Sequence, residues 1–120
     1  LSGGEKQRVN LARCLLQLSQ AERSPLLLLD EPTSAQDLGQ QHTLLQRVRA
    51  LCAERDYAVL AVLHDLNHAL RYAHRATLLD AGRVVATAPP GELLSPQRVE
   101  THWGYRAEYL RSERGGIAVL

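Results

Sequence analysis

Apolar residues recur with helical spacing near the start of the chain, at Val9, Leu11, Ala12, Leu15, Leu16 and Leu18. Ser2 stands three residues before Glu5, the spacing of a capping box. The pattern predicts a helix over residues 4–19 whose N-terminus presents Ser2, Gly3 and Gly4. After polar residues 19–24, Pro25 leads into Leu26-Leu27-Leu28-Leu29, an apolar run of strand length without alternation. A strand covered on both faces reads this way. Pro32-Thr33-Ser34 breaks the run, and Leu44, Leu45, Val48 and Leu51 then form the inner stripe of a helix over residues 38–54. Residues 57–63 read as a second buried strand.

His64-Asp65 ends that strand, and Asp65 or Asn67 starts a helix through Leu66, Ala69, Leu70 and Ala73. Residues 76–79 and 84–88 flank Asp80-Ala81-Gly82-Arg83 as a hairpin. From Pro89 the texture changes. Pro89-Pro90-Gly91 opens a short helix through Leu94, and Ser95-Pro96 opens another reaching about Trp103. Residues 105–110 and 117–120 then form a small hairpin around Arg114-Gly115-Gly116. Strands alternating with helices predict an α/β layered domain. No internal repeat, low-complexity tract or heptad series interrupts it.

Composition narrows the partners more than the fold. The 120 residues are 45% hydrophobic and 22% charged, with a formal net charge of +1. The 14 basic and 13 acidic residues are interspersed, whereas a nucleic-acid binder would gather its Lys and Arg on one face. No nucleic-acid partner is therefore expected. The longest apolar run, residues 58–63, falls far short of the ~20 residues of a membrane-spanning helix, so no direct membrane insertion is expected. Cys14 and Cys52 lack metal-type spacing and fall in predicted helices, which reads as two reduced thiols and a reducing compartment. The chain contains no Met and opens inside a motif, which leads to the expectation of a C-terminal piece of a longer protein.

Two features carry chemistry. Leu1-Ser2-Gly3-Gly4-Glu5 is a glycine-containing turn opening a helix, where free N–H groups and about half a positive charge suit a γ-phosphate. Taken alone, Ser-Gly-Gly before a helix is an ordinary cap. The second feature is the apolar strand ending in Asp30-Glu31. A carboxylate at the carboxyl end of such a strand can hold Mg²⁺ directly or through water, the role given to Asp30. Glu31 is placed to orient and deprotonate an attacking water. The plainer alternative is a capping Asp followed by a solvated Glu. His64 follows its own strand in the same manner and should emerge on the same sheet edge, with an imidazole able to meet a phosphate or position the water, although a lone His at a strand end is more often structural. These are half of a nucleotide-hydrolysing site. The other half, a G-x-x-x-x-G-K-[ST] phosphate loop, occurs nowhere in the 120 residues.

The ordered motifs resemble the C-terminal half of the nucleotide-binding domain of an ATP-binding-cassette (ABC) ATPase. Leu1-Ser2-Gly3-Gly4-Glu5 with Gln7-Arg8 resembles the family signature, residues 26–31 resemble Walker B with its following glutamate, Ser34-Ala35-Gln36-Asp37 resembles the D-loop, and His64 resembles the switch histidine. The resemblance implies an α/β fold, the layered parallel-sheet core of a P-loop NTPase, with residues 1–120 as one domain fragment. Residues 1–90 would carry the motifs and 91–120 a small helical and hairpin extension. It further implies ATP and Mg²⁺ as cofactors, Glu31 and His64 as catalytic residues, Asp30 at the metal, and Ser2, Gly3, Gly4 and Asp37 as nucleotide-binding.

In the family the signature of one subunit closes over ATP held by a second copy. Ser2, Gly3 and Gly4 would then act in trans within a homodimer. One departure stands out: the D-loop is usually Ser-Ala-Leu-Asp, and here Gln36 replaces the Leu. The texture of residues 63–67, 75–86 and 90–94 resembles the ATPase subunits of bacterial importers for iron chelates, heme and vitamin B12. Gln40-Gln41-His42 and the closing segment 105–120 are similar to the heme (hemin) importer branch. The implied protein is a peripheral subunit on the cytoplasmic face of the bacterial inner membrane, docked to transmembrane permease subunits and energising heme import. A competing expectation is a non-transport ABC ATPase of chromosome structure, repair or translation, and a third is an inactive remnant. The transported substrate is not written in these residues.

Overall fold

The computed structural model describes residues 2–120, and Leu1 of the opening motif lies outside the described residues. The chain divides into two compact units, one ending at His64 and the other spanning Asp65–Leu120.

The first unit begins with α1 (Gly3–Leu18). Its capping box forms as the spacing predicts: the Glu5 N–H donates to Ser2 Oγ at 3.1 Å, and the Ser2 N–H donates to Glu5 Oε2 at 3.0 Å. Strand β1 (Leu26–Asp30), helix α2 (Leu38–Arg55) and strand β2 (Ala58–Val62) follow as a β-α-β crossover. Asp37 caps α2 by accepting from the Gln40 N–H at 2.9 Å. The helix stops at Asp56, which turns left-handed at φ 54° and accepts from Ser24 Oγ at 3.2 Å. β1 and β2 pair in parallel, Leu26 beside Ala58 through Asp30 beside Val62.

Burial on this sheet differs from the two-sided cover that the apolar run predicts. Leu27 is buried, as are Leu44, Leu45 and Val48 on the inner stripe of α2, which packs on β2. The alternate residues face the other way: Leu26, Leu28, Leu60 and Val62 are 57%, 65%, 63% and 51% exposed. Side chains alternate between the faces of a strand, and among the described residues only one face is well covered.

The second unit holds α3 (Leu66–Tyr72), the hairpin β3 (Ala76–Asp80) with β4 (Arg83–Ala88), the short helices α4 (Pro90–Leu93) and α5 (Pro96–Trp103), and the hairpin β5 (Tyr109–Arg111) with β6 (Ile117–Val119). Ala81 and Gly82 both take positive φ, 48° and 72°, which matches the twist a two-residue hairpin turn requires. Leu94, Val99, Ala107 and Val119 form the core, with Leu66, Ala69, Leu70 and Tyr109 packed on it. The Asn67 side chain joins α3 to β6, donating to Val119 O at 3.1 Å and accepting from the Val119 N–H at 2.7 Å. His102 Nδ1 lies 2.6 Å from Asp80 Oδ2, tying α5 to the first hairpin. The predicted strand over 105–110 begins later, at Tyr109, because Gly104 caps α5 in a left-handed turn and ladder pairing starts only where Glu108 meets Leu120.

Tyr109 places its hydroxyl in this core without a hydrogen-bond partner among the described residues. Burial, helped by neighbouring Tyr105, pushes that hydroxyl's pKa up. A buried polar atom without a partner is destabilising, so Tyr109→Phe is expected to raise stability by about 1 kcal/mol. The urea midpoint at constant slope measures it; a lower midpoint would show that the hydroxyl is bonded to solvent.

Candidate functional site

Parallel pairing puts the carboxyl ends of β1 and β2 side by side, and the chemistry-bearing side chains emerge there. Asp30 is the last residue of β1, paired with Val62. The Glu31 N–H continues the ladder by donating to Val62 O at 3.1 Å, and Glu31 then turns left-handed at φ 47°. A non-glycine residue in that region costs on the order of 1 kcal/mol or more and persists only where its surroundings hold it. Here they do so at both ends. Glu31 Oε1 lies 2.6 Å from His64 Nε2, two residues past the end of β2. The side chains remain open to solvent, 44% exposed for Glu31 and 76% for His64. The Glu31 carboxylate is thus held by its backbone and by an imidazole and remains reachable by water.

Asp30 is exposed and opens on a groove of about 160 Å³ that also takes in Gln7, Arg8 and Gln36. Among the described residues, no cluster of three or more His, Cys, Asp or Glu is arranged to hold a metal alone. A single carboxylate suits Mg²⁺ nonetheless, because that ion keeps several waters and takes other ligands from phosphates.

The opening turn lies against the segment that follows Glu31. Gly4 is buried, and a Cβ built there would stand 3.2 Å from the Ala35 carbonyl oxygen; one at Gly3 would stand 3.3 Å from Ala35 Cβ. Residues 31–34 close a turn, Ser34 N–H to Glu31 O at 3.1 Å. Gln7, one turn into α1, donates from Nε2 to Ser34 Oγ at 2.7 Å and accepts on Oε1 from Gln36 Nε2 at 3.3 Å. Gln41 of α2 donates to the Gln36 carbonyl at 2.9 Å.

The structure therefore brings Glu31 to His64, and Gly3 and Gly4 to residues 35–36. Ser2 engages Glu5, and the Asp37 carboxylate is occupied as the α2 cap. The bridging role of Gln7 and Gln36 is not visible in the sequence, since the two residues are 29 apart and amide side chains have no periodic signature. In the other unit, a depression of about 410 Å³ lined by Gln97, Glu100, Arg106 and Glu108 contains none of the residues singled out for chemistry.

Comparison with known proteins accords with this arrangement. Residues 1–34 match the ABC transporter family. The chain is 47% identical over 120 residues to the hemin import ATP-binding protein HmuV of Shewanella denitrificans, covering all of this chain and 47% of that protein. It is 52% identical over 107 residues to the Vibrio cholerae protein of the same name, covering 89% of this chain and 41% of that one. The chain thus spans about half the length of the curated relatives it matches. A metal-chelate type ABC transporter solved in an inward-facing conformation superposes with a TM-score of 0.80 at 24% identity, over all of this chain and 47% of the other. The α/β fold is thereby established, and the likeness to ABC transporter ATP-binding proteins read from the motifs holds.

Gly4 tests the packing of the opening turn. Gly→Ala usually favours a helix, but the backbone oxygen of Ala35 stands in the way. Gly4→Ala is expected to destabilise by about 1–3 kcal/mol, the range for an overpacked buried site. Chemical denaturation measures this, and a gain in stability would show that the turn relaxes freely.

Proposed function

We propose, from this likeness to ABC transporter ATP-binding proteins, that the polypeptide carrying this chain is the ATP-hydrolysing subunit of a bacterial import complex, energising uptake of hemin. The observation that carries the reading is Glu31, held left-handed at the carboxyl end of a parallel strand with its carboxylate 2.6 Å from His64. Residues held in sparsely populated backbone regions cluster at functional sites.

In this reading Glu31 accepts the proton of the water that attacks the terminal phosphate. His64 holds the carboxylate in one rotamer and presents its imidazole to the same water or phosphate. Asp30 is the residue that would hold Mg²⁺, which when bound neutralises charge on the phosphates. The N–H groups of Gly3 and Gly4, outside the Ser2–Glu5 capping pair, face a phosphate held by a second copy of the subunit, and Ser2 and Asp37 border that nucleotide.

The bare apolar face of β1 and β2 supports the same view. Parallel sheets bury both faces, so Leu26, Leu28, Leu60 and Val62 suit a larger sheet with more polypeptide around it. No helix among the described residues is long and apolar enough to cross a membrane. We place the subunit on the cytoplasmic face of the inner membrane, bound to permease subunits that carry the substrate path. Hemin as substrate rests on the name shared by the relatives.

Glu31→Gln in the full polypeptide is expected to retain ATP binding while turnover falls by about 10²- to 10⁴-fold, the contribution of a positioned general base. Nucleotide binding by calorimetry and phosphate release under steady state measure the two. Undiminished phosphate release would remove Glu31 from the proton transfer.

A further inference from the structure

We infer that Gln36 is a positioning residue: with Gln7 it clamps residues 34–37 to the first turns of α1, so that the Ser2–Gly4 turn and the Glu31 turn keep one fixed relation. The inference rests on the ATPase reading above for its kinetic consequence, though not for the clamp itself.

The geometry has three parts. Ala35 sits left-handed at φ 58°, a conformation its side chain disfavours, and it supplies the surface on which Gly3 and Gly4 rest. Both neighbours of Ala35 are bonded to one amide group. Gln7 Nε2 donates to Ser34 Oγ, and Gln7 Oε1 accepts from Gln36 Nε2. A primary amide has one donor end and one acceptor end, and here the Gln7 amide directs the first to Ser34 and the second to Gln36. The Gln36 carbonyl is in turn bonded by Gln41, which carries the constraint into α2.

Ser34 also closes the turn that begins at Glu31. A continuous set of contacts therefore runs from His64 through Glu31 and Ser34 to Gln7 and the opening turn of α1. Gln7 and Gln36 line the groove onto which Asp30 opens, so the clamp lies beside the carboxylate proposed for the metal. An apolar side chain at position 36 would leave the Gln7 carbonyl oxygen without this donor.

The test uses Gln36→Met, which keeps the length and loses the donor, and Gln36→Lys, which keeps a donor. Amide exchange at Glu5, Lys6 and Ser34 reports on the clamp without nucleotide. Gln36→Met should speed exchange there about two- to tenfold, the factor equivalent to one neutral hydrogen bond net of water. In steady-state hydrolysis by the full polypeptide, the same variant should raise KM for ATP by a similar factor with kcat within about twofold. A loosened phosphate-facing turn weakens ground state and transition state alike. Gln36→Lys should restore both, and Gln7→Met, which breaks the clamp from the other side, should reproduce the Gln36→Met shifts. Unchanged exchange in Gln36→Met overturns the clamp, and faster exchange with an unchanged KM overturns the positioning role. A wild-type polypeptide that does not hydrolyse ATP would count against the proposed reaction, and exchange alone would then decide the clamp.

Discussion

Parallel pairing of Leu26–Asp30 with Ala58–Val62 decides where the polar groups of the first unit end up. Two antiparallel strands would send the residues after their carboxyl ends to opposite edges. Parallel strands send them to the same edge, and α2 is the crossover that makes this possible. Because Asp30 stands beside Val62, the next N–H finds Val62 O, and Glu31 and His64 leave the sheet within reach of one another. A slip of one residue would exchange Leu27 for its exposed neighbours and pull the carboxylate away from the imidazole.

Around that edge, backbone conformation is constrained by neighbours more than by local preference. Glu31, Ala35 and Asp56 are all left-handed without being glycine. Asp56 has a local reason, since a left-handed residue is a common helix end and its carboxylate meets Ser24. Glu31 and Ala35 lack one, and each is instead flanked by contacts from distant parts of the chain: Val62 and His64 for the first, Gln7 for the residues on either side of the second.

Where periodicity and end signals agree, the elements are legible in the sequence. The capping box at Ser2 and Glu5, the inner stripe of α2 and the turn at Asp80–Arg83 stand where the residues indicate. The common edge for Asp30, Glu31 and His64 was legible too, because an apolar run ending in a polar residue marks the carboxyl end of a buried strand. The direct Glu31–His64 bond was not, since it depends on register across 33 residues. Neither was the Gln7–Ser34 contact, which joins residues 27 apart through a flexible side chain. The four consecutive leucines report a two-sided environment, whereas the described residues well cover only one side of the strand. Composition records the setting for which a strand is suited, and alternation of burial appears only in three dimensions.

The pair of hydrogen bonds between Asn67 and Val119 has a consequence of its own. A short terminal strand such as β6 ordinarily offers an outward-facing N–H and C=O to any extended chain that drifts past, a route to aggregation. The Asn67 amide presents one donor and one acceptor in the manner of a peptide group and occupies both positions at Val119. At Val119 the outward edge of β6 is thereby closed to a passing strand by a single side chain.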